Sequence, residues 1–196
     1  MRVLAVSDVE SRRYYDYYKP GMLEGFDLII SCGDLRPDYL EFLVTLAGCP
    51  LLYVHGNHDG LYDERPPGGC ICIEDRVVKV GGVRIAGLGG SYAYAPGPYR
   101  YTERQMAKRM RRIMPRIWMR GGVDIVVAHA PVRGINDTDA PAHRGFSCFG
   151  ALIDRFEPTF FVHGHMHRTY AMNVPQTTAH GATTILNAFD HVVFEI

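Results

Sequence analysis

The sequence has no surplus of either charge: 21 Lys and Arg face 21 Asp and Glu, for a formal net charge of zero. Composition therefore points to neither nucleic acid nor an anionic membrane, though it leaves nucleic acid and self-association open. No apolar run approaches the length of a membrane-spanning helix, so no membrane partner is expected. The amino terminus, MRVLAVSDVE, has one base and a four-residue apolar run before it turns acidic, too little for a secretory leader. Cysteine is sparse and lacks a pairing pattern. Cys32, Cys49, Cys70, Cys72 and Cys148 are odd in number and irregular in spacing, which argues for reduced thiols and a cytoplasmic protein. Cys70 and Cys72 form a C-x-C with no second pair, so a zinc ribbon is not expected, and the five read as small apolar residues. No internal repeat, low-complexity tract or linker divides the chain.

What is present suits one globular domain over 1–196. At 196 residues and 47% apolar, the chain can bury a sizeable core without staples. Val3 to Val6, Asp27 to Cys32 and Leu51 to Val54 read as strands, and Pro37 to Ala47 reads as a helix with Leu40, Leu43, Val44 and Ala47 on one face. Strand, helix and strand in this order imply parallel strands with crossover helices. Arg76 to Val80 and Val83 to Leu88 flank Gly81-Gly82, a hairpin signal. Gly89 to Tyr101, GGSYAYAPGPYRY, is too rich in Gly, Pro and Tyr for regular structure. Val123 to Ala128, a helix from about Phe146 to Phe156 and a strand over Thr159 to Val162 follow. The tail reads as β segments near Arg168 to Val174, Thr183 to Leu186 and His191 to Ile196.

Thr102 to Arg120 reads as a helix that opens on a Thr102/Gln105 capping box and buries Met106, Met110, Ile113 and Ile117. Pro115 is expected to kink or break it. Seven bases (Arg104, Lys108, Arg109, Arg111, Arg112, Arg116 and Arg120) stand against one acid, Glu103. Such a stripe could bind nucleic acid. A solvated face is the expected reading, because the charges are not interleaved with stacking aromatics.

Five strand-like runs each end in a polar cluster. These are Asp8 with Glu10, Gly33-Asp34, Gly56-Asn57-His58-Asp59, His129, and His165 with His167. A lone Asp after a strand is more often a turn residue than a ligand, and a lone His is usually a satisfied surface or core group. Five clusters at successive strand ends point instead to one shared site, since loops at the carboxyl ends of parallel strands converge. Carboxylate, imidazole and amide oxygen suit Mn, Fe, Zn or Mg, and no cysteine lies in the clusters. Glycines 33, 56 and 164 leave room for close backbone approach. Two adjacent divalent ions suit phosphoryl transfer, because they clamp phosphate oxygens and activate water.

Asp8, Gly33-Asp34, Gly56-Asn57-His58-Asp59, His129 and Gly164-His165-Met166-His167 resemble, in order, the five signature blocks of the calcineurin-like metallophosphoesterase family. The resemblance spans Met1 to about His167. It implies a four-layer α/β/β/α sandwich of two mixed β-sheets flanked by helices, with the site at one edge. It also implies two divalent ions, Mn first, with Fe, Zn or Ni as the others. By the same resemblance Asp34 bridges both ions, Asp8 and His167 hold the first, and Asn57, His129 and His165 hold the second. His58 is a proton donor or phosphate stabiliser, with Asp59 orienting its ring. His55 and His163 read as packing or supporting residues.

One block departs from the pattern. Where the family usually has Asp-x-His, this chain has Asp8-Val9-Glu10. Glu10 is expected to ligate the first metal, since residues i and i+2 at a strand end face one side. On the substrate side Arg36, Tyr92, Tyr94, Arg133, His143 and Arg144 lie on nearby loops, with His143, Arg144 and Arg36 the substrate-binding candidates. The expected function is metal-dependent hydrolysis of a small phosphate ester. His58 can protonate a poor leaving group, which slightly favours phosphodiesters over phosphomonoesters. The rival reading, a metal-poor protein-binding scaffold on the same fold, expects eroded ligands. A metallo-β-lactamase-like hydrolase needs His-x-His-x-Asp-His, and His167 is followed by Arg168.

Overall fold

The computed structural model describes residues 1–167 and 174–196. Its strands are β1 (Arg2–Ser7), β2 (Leu28–Ser31), β3 (Leu51–Tyr53), β4 (Ile71–Cys72), β5 (Val77–Val80), β6 (Val83–Leu88), β7 (Ser91–Tyr92), β8 (Arg100–Tyr101), β9 (Ile125–Ala128), β10 (Phe160–His163), β11 (Thr177–His180), β12 (Thr183–Asn187) and β13 (Asp190–Glu195). Its helices are α1 (Pro37–Ala47), α2 (Glu103–Met119) and α3 (Ser147–Phe156).

The strand pattern dictates the layering. In β1, Val3 and Ala5 point one way and Leu4 and Val6 the other, and all four are fully buried. A strand buried on both faces must lie inside a stack of layers. Val3 and Ala5 pack with Ile30, Ile125, Val127 and Val162, a cluster drawn from two sheets, so the sheets face each other. Leu4 and Val6 pack with Ile29, Tyr39, Leu40 and Leu43 beneath α1. Val126 and Phe161 pack with Met106, Ile113, Phe149 and Leu152 beneath α2 and α3. Three apolar layers between four structural layers give the expected α/β/β/α sandwich.

The first sheet runs β13-β1-β2-β3-β4, with β13 antiparallel to β1 and the rest parallel. The second runs β11-β12-β10-β9-β6-β5, parallel in its middle and antiparallel at both edges. Gly81 and Gly82, at φ 54° and 95°, make the tight β5–β6 turn, whose two central residues need left-handed φ. Among the described residues no helix is long and apolar enough to cross a membrane.

Two local expectations turn out differently, and one strand was not expected. The Gly89 to Tyr101 segment is not wholly irregular, since β7 and β8 pair in parallel across it. Pro115 does not break α2. It sits on the solvent face, and Ile113 and Ile117 on the buried face hold the helix through it. β11 (TTAH) carries too little apolar signal to be read from sequence; it pairs only with β12 at the edge of its sheet. The β segment near Arg168 to Val174 lies, apart from Val174, outside the described residues.

Candidate metal centre

β1, β2, β3, β9 and β10 all deliver their carboxyl ends to one edge of the sandwich. There Asp8, Asp34, Asn57, His58, His165 and His167 line one cavity of about 300 Å³, together with Tyr94, Ala142 and His143. Asp8, Asp34 and His165 have φ of 67°, 58° and 66°. Left-handed backbone at a non-glycine residue costs roughly 1–2 kcal/mol. Hydrogen bonds offset that cost here. Asp8 N–H donates to the Gly33 carbonyl at 3.1 Å, and Asp34 N–H to Asp59 Oδ2 at 2.8 Å. His165 N–H donates to both Asp8 oxygens, at 3.1 and 2.9 Å.

The expected close approach at three glycines takes a specific form. A Cβ on Gly33 would overlap the Gly56 backbone, one on Gly56 the Asp34 carboxylate, and one on Gly164 the Ser7 hydroxyl. Gly56→Ala should therefore displace Asp34 and at least halve bound metal in elemental analysis, with an unchanged far-UV spectrum. Gly150→Ala, whose Cβ meets only ordinary contact with Val132, should leave metal content intact.

Two groups of potential ligands share the cavity. In the first, Asp34, His129 and His165 offer ligand atoms all within 4.8 Å of one another. His129 Nε2 lies 3.4 Å from Asp34 Oδ2 and 3.2 Å from Asn57 Oδ1. In the second, His167 Nε2 lies 3.5 Å from Asp8 Oδ1. Backbone carbonyls set the ring tautomers. His129 Nδ1 donates to the Cys32 carbonyl at 2.8 Å, and His165 Nε2 to the Ala142 carbonyl at 2.6 Å. The His129 Nε2 and His165 Nδ1 lone pairs are then left for a cation.

The electrostatics fit a cation at this point. Burial works against charge on His129, but the Asp34 carboxylate beside it lifts its pKa to about 9. Burial opposes charge on Asp34 too, yet His129 and the His58 N–H, 2.7 Å from Oδ1, hold its carboxyl far below the usual range. Burial, and then charge on His129, push His165 down to about 3, so it stays a neutral donor. A buried carboxylate, an amide oxygen and an imidazole lone pair meeting at one point repel one another unless a proton or metal lies between them. Among the described residues the buried Asn57 Nδ2 has no hydrogen-bond partner. This donor set fits hard-to-borderline divalent ions.

Not every expected residue arrives. Glu10 does not line the cavity. Strand alternation cannot carry it there, because β1 ends at Ser7 and Asp8 turns the chain through left-handed φ. Arg36 is exposed and pairs with Asp38 at 3.3 Å; Arg144 is exposed with its guanidinium over Tyr92, and neither lines the cavity. Arg133 is tied to Asp137 and Asp139 in its own loop. His143 lines the cavity, its ring 5.8 Å from that of His165, and burial and then His167 lower its pKa. His55 stacks on Tyr99 at 4.2 Å, and His163 is fully buried with Nδ1 on the Gly164 carbonyl, so both act in packing. Tyr94, given less weight in the sequence, lines the cavity with Arg100 over its ring at 4.5 Å.

Asp59 does a different task from the one expected. No hydrogen bond joins it to the His58 ring; its Oδ2 accepts from both Gly56 N–H, at 2.7 Å, and Asp34 N–H. It braces two ligand loops against each other. Burial, with Asp34 nearby, raises its pKa to about 7 against those two donors. Asp59→Ala leaves two buried N–H groups without an acceptor, at about 1–3 kcal/mol each. It should lower Tm by several degrees. Asp59→Asn keeps one carbonyl oxygen for both bonds and should restore most of the loss in a thermal melt. If both variants melt alike, the brace is not what Asp59 provides.

Parallel strand ends that gather carboxylates, an amide and imidazoles at the edge of a two-sheet sandwich define a metal-binding hydrolase scaffold. The chain belongs to the calcineurin-like phosphoesterase family, whose sequence model matches residues 1–169. Members of that family are typically metal-dependent phosphoesterases. No curated relative matches the sequence. Among solved structures, TT1561 of Thermus thermophilus superposes with a TM-score of 0.64 at 18% identity, covering 96% of this chain and 89% of that one. GAP50, the anchor in the inner membrane complex of Plasmodium, superposes at 0.55 and 13% identity over 95% and 70% of the two chains. At these identities the likeness is one of fold.

Proposed function

We propose that the chain hydrolyses small phosphate esters, with diesters preferred, at a centre of two divalent ions, Mn foremost. The observation that carries this reading is the cavity itself: it gathers two groups of ligand atoms, with the exposed His58 on its wall. Asp34, Asn57, His129 and His165 would hold one ion and Asp8 and His167 the other, with Asp34 between them. Glu10 stands outside this set. Bound there, the ions would supply charge for the phosphate oxygens and a more acidic water.

The chain's own residues do the rest. His58 is exposed and faces the open cavity, where it can give a proton to the departing oxygen. Tyr94 and His143 form the wall against which the ester's organic group rests. A scaffold reading expects eroded ligands, and here the donors are present and tautomer-locked by Cys32 and Ala142. All five cysteines are free thiols, which suits the proposed cytoplasmic setting.

The test is a comparison of aryl phosphodiester and phosphomonoester hydrolysis by chelated protein after Mn, Fe, Zn, Ni or Mg is restored. Faster diester turnover with Mn is expected. Faster monoester turnover with every ion would reassign the substrate class.

A further inference from the structure

The solvent face of α2 is built in a way that the fold does not require. Arg104, Lys108 and Arg112 follow one another at i,i+4 spacing with Arg111 beside them, and the four line one groove, while Arg116 turns further round the helix and donates to the Asp75 carbonyl at 3.1 Å. Like charges at that spacing destabilise a helix. Among the described residues Arg104, Lys108, Arg111 and Arg112 form no salt bridge with a carboxylate. The one acid of the helix, Glu103, is committed elsewhere: its oxygens accept the N–H groups of Ser147 and Cys148 at the start of α3. Arg109, by contrast, is buried and paired with Glu74 and Asp75, so it serves the fold. In a chain of zero net charge this is a strong local segregation of positive charge.

The face also carries an aromatic. Trp118 is 77% exposed, which removes the ground for expecting a merely solvated face. It lines a groove of about 470 Å³ together with Met114, Pro115, Phe156, Arg111 and Arg155. A flat ring beside guanidinium groups matches a nucleobase next to its phosphates.

We propose that this face of α2, ending at Trp118, binds single-stranded nucleic acid, with the backbone along the Arg/Lys row and a base stacked on Trp118. Successive i,i+4 cations rise about 6 Å per step, comparable to the phosphate spacing of an extended strand. Single strands fit better than duplexes, because only they present base faces to Trp118. A membrane fits less well: the apolar face of α2, with Met106, Ile113 and Ile117, is buried in the core, which leaves only Trp118 and Met119 to enter lipid. The row also has a direction. α2 connects parallel strands β6 and β9, so it starts at the edge that bears the metal cavity and runs away from it for about 25 Å.

Trp118 is the chain's one tryptophan, so its emission reports on the site directly. The probe is a fluorescein-labelled oligothymidylate, titrated in chelator so that no hydrolysis intervenes. Expected are quenching of Trp118 emission and an affinity that falls with salt at a log–log slope of about −3. A Lys108→Glu, Arg111→Glu, Arg112→Glu triple variant should bind at least about 100-fold more weakly by anisotropy. Trp118→Ala should lose about tenfold. All of these variants should hydrolyse a small aryl ester at the wild-type rate, which shows them folded and separates this site from the metal cavity. The proposal is overturned if the triple variant binds like wild type or if the oligonucleotide leaves Trp118 emission unchanged. It is overturned equally if phosphatidylserine vesicles shift that emission to the blue while the oligonucleotide does not, which would make the face a lipid contact.

Discussion

Asp34→Asn is expected to abolish phosphoester hydrolysis and to strip the centre of most of its metal. Asp34 Oδ2 lies 3.4 Å from His129 Nε2 and belongs to the ligand group with His165, while its other oxygen holds the His58 N–H at 2.7 Å. The substitution removes a full negative charge from the point where donors converge. It also offers an NH₂ where a cation should sit. Loss of a group that merely orients a ligand costs about 10–100-fold in metal affinity. A ligand asked to hold two ions should exceed the top of that range. Elemental analysis of purified Asp34→Asn should give well under half the wild-type content, with far-UV spectrum unchanged. Wild-type metal content in this variant would move the shared ligand elsewhere.

His58→Ala is expected to cut turnover by roughly 10²–10⁴-fold and to leave metal content close to wild type. His58 is exposed on the cavity wall, and only its backbone N–H, not its ring, is engaged with Asp34. Removing the ring therefore leaves that hydrogen bond in place. The loss should shrink for esters with good leaving groups, which need little protonation. A loss uniform across leaving groups would assign the ring to holding charge on the phosphate instead.

Much of this site was legible because strand ends and residue types are written in sequence. The apolar runs closing on Asp8, Asp34, Asn57, His129 and His165 do converge, β1, β2 and β3 from one sheet and β9 and β10 from the other, at one edge of the sandwich. The apolar run of β1 predicted a strand buried on both faces, but the four-layer sandwich itself followed from the family resemblance, and the structure shows β1 packed between the second sheet and α1. What stayed hidden has physical reasons. The carbonyls of Cys32 and Ala142, which lock two histidine tautomers, are backbone atoms and carry no residue signature. The brace at Asp59 joins segments 25 residues apart through main-chain donors. Glu10 stays off the cavity wall because two-residue periodicity holds only within a strand, and β1 ends before Asp8. Tyr94 reaches the cavity from a Pro- and Gly-rich segment whose path no periodicity encodes.

Two ions in this one cavity are proposed to carry the hydrolysis. The most direct measurement is a Mn titration of chelated protein that follows bound metal and hydrolysis of an aryl phosphodiester in the same samples. Binding should saturate at two ions per chain, with activity absent from the chelated protein and rising as the sites fill. Full activity in the chelated protein, or saturation without any activity while the fold is intact, would contradict it.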